Sequence, residues 1–163
     1  MRRVVTRPLR LDADLKRRAS RLLRGLPRRR GLGFQAAEPS SMGGWYVRLE
    51  NAEFIVEILQ DRAGEATSLA IGSRLRPKPR ARVRGPWSLC HLRGFLDGQP
   101  DHFRFKTLSE ESRWLHENEP RLFDSGFLNS EALRVWAVRA SRRMFGQHAR
   151  KTLEAGPSGR RKT

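Results

Sequence analysis

Three short runs of alternating apolar and polar residues occupy the middle of the chain: Trp45 to Glu50, Phe54 to Leu59 and Thr67 to Ile71. In the first, Trp45, Val47 and Leu49 share one side of an extended backbone, opposite Tyr46, Arg48 and Glu50. In the second, Phe54, Val56 and Ile58 oppose Ile55, Glu57 and Leu59. A period of two predicts strands, and the connectors Asn51-Ala52 and Asp61 to Glu65 have hairpin length. The runs therefore predict an antiparallel meander with one face buried and the other partly wet.

Helical spacing flanks the meander. Leu11, Leu15, Ala19, Leu22 and Leu26 predict an amphipathic helix over 11–25, closed by Gly25 and Pro27 and resting its apolar stripe on the domain. Residues 27–44, rich in Arg, Gly, Pro and Ser, predict a linker anchored by Phe34. Beyond the meander, Pro77, Pro79, Gly85 and Pro86 forbid regular pairing, so 73–86 is expected to be an exposed loop. Leu89, Leu92 and Leu96 mark a short helix over 88–96, and the alternation of Phe103 and Phe105 with Arg104 and Lys106 predicts a fourth strand. Thr107 with Glu110 forms a capping-box pattern that opens a helix over 108–118. Leu133, Trp136, Ala137, Ala140 and Met144 form the stripe of a last helix, 129–146, ended by Gly146 and expected to be the chief cover of the sheet.

The expected fold is α+β: a small antiparallel β-meander packed on one face by helices, with a basic N-terminal helical arm. Residues 1–30 are expected to form the basic amphipathic arm, 31–148 the single domain and 149–163 a disordered basic tail.

Charge changes this picture more than composition does. Residues 1–30 carry twelve Lys/Arg against two Asp, 73–86 carry six against none, and 151–163 carry four against Glu154. The remainder holds twelve basic and fourteen acidic residues, so the formal +17 resides in arm, loop and tail. Such a chain is drawn to nucleic acid, anionic lipid or acidic proteins. Arginine outnumbers lysine 29 to 5, a skew that GC-rich coding alone produces, so the clustering carries more meaning than the count. The lone Cys90 excludes an internal disulfide, no run has the length of a membrane span, and no apolar segment follows Arg2-Arg3, which together predict a cytoplasmic protein.

Enzyme patterns fail individually. Gly31-Leu32-Gly33-Phe34-Gln35-Ala36 fits a dinucleotide fingerprint, but arginines and Pro27 stand where a strand should lead in. Cys90 and His91 are adjacent, so on a helix their side chains diverge by about 100°. His102, His116 and His148 lack zinc-ligand spacing. Asp97, Asp101 and His102 read as an acid/base cluster or, equally, as ordinary turn formers. Glu110, Glu111, Glu117 and Glu119 read as dipole complement and a solvated face. No catalytic residue, metal ligand or cofactor is expected.

The basic loop Arg74, Arg76, Lys78, Arg80, Arg82 and Arg84 is the leading candidate for contact with an anionic partner, since alternating cations on extended backbone can track phosphates or an acidic surface. A solvated loop explains it too. Arg93-Gly94-Phe95 opens like an RNA-recognition signature and departs at Leu96. Trp45, Tyr46 and Trp114 are the candidate protein interface.

Leu32-Gly33-Phe34, Val47 to Glu50, the hairpin from Phe54 to Ile71 with Asp61 at its turn, Trp87-Ser88-Leu89 and two C-terminal helices follow one another over 32–145. This order resembles small bacterial α+β proteins that include immunity proteins of polymorphic toxin systems. The resemblance implies a non-enzymatic protein that binds one partner and supplies no catalytic residues. The basic loop and arm depart from it. The expected function is a soluble protein-binding module; the alternative is a nucleic-acid-associated protein using arm, loop and tail for sequence-independent phosphate contacts.

Overall fold

The computed structural model describes residues 11–40, 43–61, 67–75 and 86–154, with side-chain detail ending at Arg143. The fold is α+β. Five strands, β1 (Gly33–Pro39), β2 (Trp45–Glu50), β3 (Phe54–Gln60), β4 (Thr67–Ser73) and β5 (Trp87–Ser88), lie side by side in chain order, each antiparallel to its neighbour. The helices are α1 (Ala13–Leu22), α2 (Leu26–Arg30), α3 (Leu89–Leu96), α4 (Leu108–Glu117), α5 (Glu119–Leu122), α6 (Ser125–Leu128) and α7 (Glu131–Glu154).

The alternation in β2 and β3 places Trp45, Val47, Leu49, Phe54, Val56 and Ile58 in the core and leaves Tyr46, Arg48, Glu50, Ile55 and Glu57 half-buried on the other face. Leu15, Ala19, Leu23 and Leu26 join these residues in one cluster with Leu89, Leu92, Leu115, Leu122 and Leu133. Each leucine removed wholly from water contributes about 2 kcal/mol. Residues 11–30, the greater part of the expected arm, are thus built into the core. Asp12 caps α1 by accepting from the amides of Asp14 and Leu15, and its own amide donates to the Ala37 carbonyl at 2.8 Å beside a parallel bridge between Leu11 and Ala37.

The expected linker over 27–44 instead contains α2 and β1. Pro27 stands in the first turn of α2, where its missing N–H would be unpaired anyway, and Gly31 closes the helix with φ 61°. The chain then enters β1, which pairs with β2 through an irregularity between Phe34 and Ala36. Two other expectations are corrected. Residues 102–106 form no strand: Phe103 donates its amide to the Cys90 carbonyl at 2.9 Å, and the segment crosses α3 at Gly94. The strand found beside β4 is the two-residue β5. The last helix continues through Gly146 to Glu154, because a helical glycine costs only about 1 kcal/mol relative to alanine. It packs chiefly on α3 rather than on the sheet, and its small Ala137 and Ala140 suit that close packing. Of the expected tail, 155–163 lie outside the described residues.

Candidate functional site: a groove between the start of α3 and α7

β5 runs straight into α3. Ser88 is the hinge residue, with extended φ/ψ (−62°, 146°) and a hydroxyl oxygen that accepts the His91 amide at 3.3 Å, satisfying a donor of the first turn. The same oxygen lies 2.6 Å from Nδ1 of the His91 ring. That ring stacks on His102 at 5.7 Å between centroids and meets Trp136 edge-on at 6.3 Å. Burial, and then the neighbouring His102, hold His91 below its ordinary value, which favours the neutral imidazole.

The indole of Trp87 donates to the Leu128 carbonyl at 2.9 Å, which fixes its plane. Across from Trp87, Ser88 and His91, α7 presents Arg134, Val138 and Arg142, and the two sides enclose a cavity of about 720 Å³. Trp87, Ala137 and Val138 supply apolar surface and the two arginines supply the positive charge. Arg134 also pairs with Glu131, whereas Arg142 is exposed. Pro86, the last residue of the expected basic loop, lines the same groove.

The other expected site residues are dispersed. Arg74 is exposed, donating to the Asn51 carbonyl at 3.0 Å and pairing with Glu50 at 3.4 Å. Arg76, Lys78, Arg80, Arg82 and Arg84 lie outside the described residues. Trp45 and Trp114 are buried in the core, the first with its indole N–H on Gln60. They present little surface to a partner. Tyr46 is half-buried on the sheet face opposite Trp45, Val47 and Leu49 and donates its hydroxyl to Glu57 at 2.8 Å; burial and then that carboxylate push its pKa up to about 12. Arg48 bridges Glu57 at 3.3 Å and Glu50 at 3.5 Å beside it.

Asp97, Asp101 and His102 do not converge. Asp97 is exposed and pairs with Arg93 at 3.3 Å, one Asp101 oxygen is buried without a partner, and His102 serves the His91 stack. Arg93 is an internal clamp, lying 3.6 Å from the Phe103 ring centroid and 5.1 Å from that of Phe105. The Arg93-Gly94-Phe95 signature therefore sits on a helix, not on the strand an RNA-recognition sheet requires. Likewise Gly31 ends a helix and Gly33 begins a strand, the reverse of the strand-to-helix order of a dinucleotide site. Cys90 is half-buried, with its thiol pushed up by burial and then by Glu111. Among the described residues no group of His, Cys, Asp and Glu could hold a metal ion, and no helix is long and apolar enough to cross a membrane.

Two carboxylates depart from the solvated face expected of them. Glu119 accepts from Arg29 at 2.7 Å and Arg30 at 2.8 Å, tying α2 to α5. Glu111 is fully buried. Its place between Leu108 and Leu115, three and four residues away, marks the apolar side of α4 and is the signal that the sequence offered. Glu110 completes the capping pattern in shifted form, accepting from the Lys106 amide while Thr107 accepts from the Glu110 amide. The groove itself carried no such signal, because its two sides, residues 86–91 and α7, are 43 or more positions apart in the chain.

The chain matches no family model, no curated protein and no solved structure.

Proposed function

We propose that this protein is a non-enzymatic binding module that holds a partner protein in the groove between the start of α3 and α7. The observation that carries this reading is the pairing of an oriented indole and aliphatic surface with the guanidinium groups of Arg134 and Arg142 around about 720 Å³. Trp and Arg dominate binding energy in protein interfaces, because both combine a large apolar body with directed hydrogen bonds. The rim selects a partner segment with carboxylates next to an apolar side chain. Ser88 and His91 have a structural role here, since the hydroxyl that would attack is already the cap of α3. The resemblance to immunity-type proteins points to the same class, one protein bound by surface complementarity.

A photo-reactive benzoylphenylalanine at Val138, with Leu59 on the opposite sheet face as control, tests the reading in cells of the source. The expected result is one protein cross-linked from Val138 and not from Leu59. Once purified, that protein should bind the wild type one to one in calorimetry and lose at least about tenfold, roughly 1.4 kcal/mol, to Arg142→Glu. Cross-linking to nucleic acid alone, or equal affinity for the Arg142 variant, would overturn it.

A further inference from the structure

The second concentration of charge lies on α1 and α2. Residues 16–30 contain eight Lys/Arg and no acid. Both helices are ordered and docked, so these cations are displayed on a fixed surface. Several have internal duties: Lys16 sits 5.3 Å over the Phe34 ring, Arg17 pairs with Asp14, and Arg29 and Arg30 bind Glu119. Arg18, Arg21, Arg24 and Arg28 are exposed and make no ion pair among the described residues. Arg18 and Arg21 stand three positions apart on α1, so these two like charges are neighbours, an arrangement that opposes helix formation; Arg24 lies in the turn after α1 and Arg28 on α2.

The turn that joins the helices is also held in an unfavourable form. Arg24 has φ 42°, left-handed for a residue with a side chain, and Gly25 follows at φ 78°. Arg29 locks this turn by donating to the Arg24 carbonyl at 3.0 Å. Beside α1 a depression of about 480 Å³, lined by Lys16, Arg17, Ser20, Arg21 and Phe34, adds a hydroxyl and further cations to the same surface.

We infer that the α1–α2 surface binds the phosphate backbone of a nucleic acid, without reading its sequence. A polyanion with closely spaced charges relieves the repulsion between Arg18 and Arg21 on α1, gives Arg24 and Arg28 an anionic partner, and releases counterions of its own. An anionic bilayer fits less well, because an interfacial helix must insert its apolar face, and Leu15, Ala19 and Leu23 are already spent in the core. The surface is separate from the groove and does not depend on it.

Fluorescence anisotropy of a labelled random-sequence DNA duplex with the full chain tests this. Four phosphate contacts predict an affinity loss of about 100-fold between 50 and 200 mM salt attributable to this surface. Changing Arg18, Arg21, Arg24 and Arg28 together to Gln should lower the log–log salt slope by about 3 to 4. An equal charge change at Arg104, Lys106, Arg121 and Arg139 should alter affinity by less than about threefold, and Arg142→Gln should leave it unchanged. Should the quadruple variant melt below the wild type, Arg18→Glu and Arg21→Glu are measured singly, each expected to weaken binding. Equal losses in the two quadruple variants, unaltered slope, or tighter binding to phosphatidylserine vesicles than to the duplex overturns the assignment.

Discussion

Glu111 accepts the Leu69 amide hydrogen at 2.9 Å, in the part of β4 that β5 does not reach. β5 pairs only with Ala70 and Ile71, so the donor one residue earlier would otherwise be buried without an acceptor, at a cost of about 1–3 kcal/mol. A side chain from α4 thus substitutes for a missing strand residue.

That substitution makes stability pH-dependent. Burial pushes Glu111 from 4.5 up to about 7, with the Leu69 amide pulling the other way. Because the folded value exceeds the unfolded one, the contribution is complete below the unfolded value and is lost as pH rises through the folded value. The difference amounts to on the order of 3 kcal/mol. Urea unfolding should show the wild type losing stability relative to Glu111→Gln as pH rises from 4 to 8. A constant difference would exclude the shift.

Glu119 behaves in the opposite sense. Burial tends to raise its carboxyl, but the Arg29 and Arg30 guanidinium groups outweigh burial and hold it below the usual range. Its contribution is therefore present above the unfolded value and disappears as pH falls. Glu119→Gln should cost about 1 kcal/mol at pH 7 and almost nothing near pH 3. An equal cost at both pH values, by the same urea measurement, would show that the ion pairs contribute nothing.

The crossing of 101–102 over α3 requires Gly94. A Cβ there would lie 2.5 Å from the Asp101 carbonyl oxygen and 3.0 Å from the Trp136 ring. Gly94→Ala should cost about 2 kcal/mol or more through overpacking. Gly98 has φ 65° with open space around its Cβ position, so Gly98→Ala should cost about 1 kcal/mol from backbone strain alone. The reverse ranking in thermal or urea unfolding would mean that the segment does not cross where described.

The stack of His91 on His102 has a spectroscopic consequence. His91 should titrate below 6.5 in an NMR pH series, and His102→Gln should move its midpoint upward by removing one of the two causes of the depression. An unchanged midpoint would leave burial as the whole cause.

The meander was legible in the sequence because β2 and β3 obey a strict period of two, and the register of Val47 with Ile58 and Val56 with Ile71 follows from it. β1 was not, because Gln35, Ala36 and Ala37 carry no β-branched signal and its pairing is with β2, on the far side of residues 41–42. Periodicity also misjudged Phe103 and Phe105, whose alternation serves the Arg93 clamp. Trp45 and Trp114 were singled out for their residue type, yet aromatic type alone does not distinguish a core ring from an exposed one. Charge counting did not show that α1 and α2 embed their leucines and so fix their arginines in place.

The bridge between Leu11 and Ala37 occupies the outer margin of β1, while Glu111 takes the amide that β5 leaves free at the other end of the sheet. Each border is interrupted at a main-chain group that an incoming strand would have to engage. Lengthening of this sheet by a foreign peptide, or by a second copy of the chain, is thereby obstructed at these two positions.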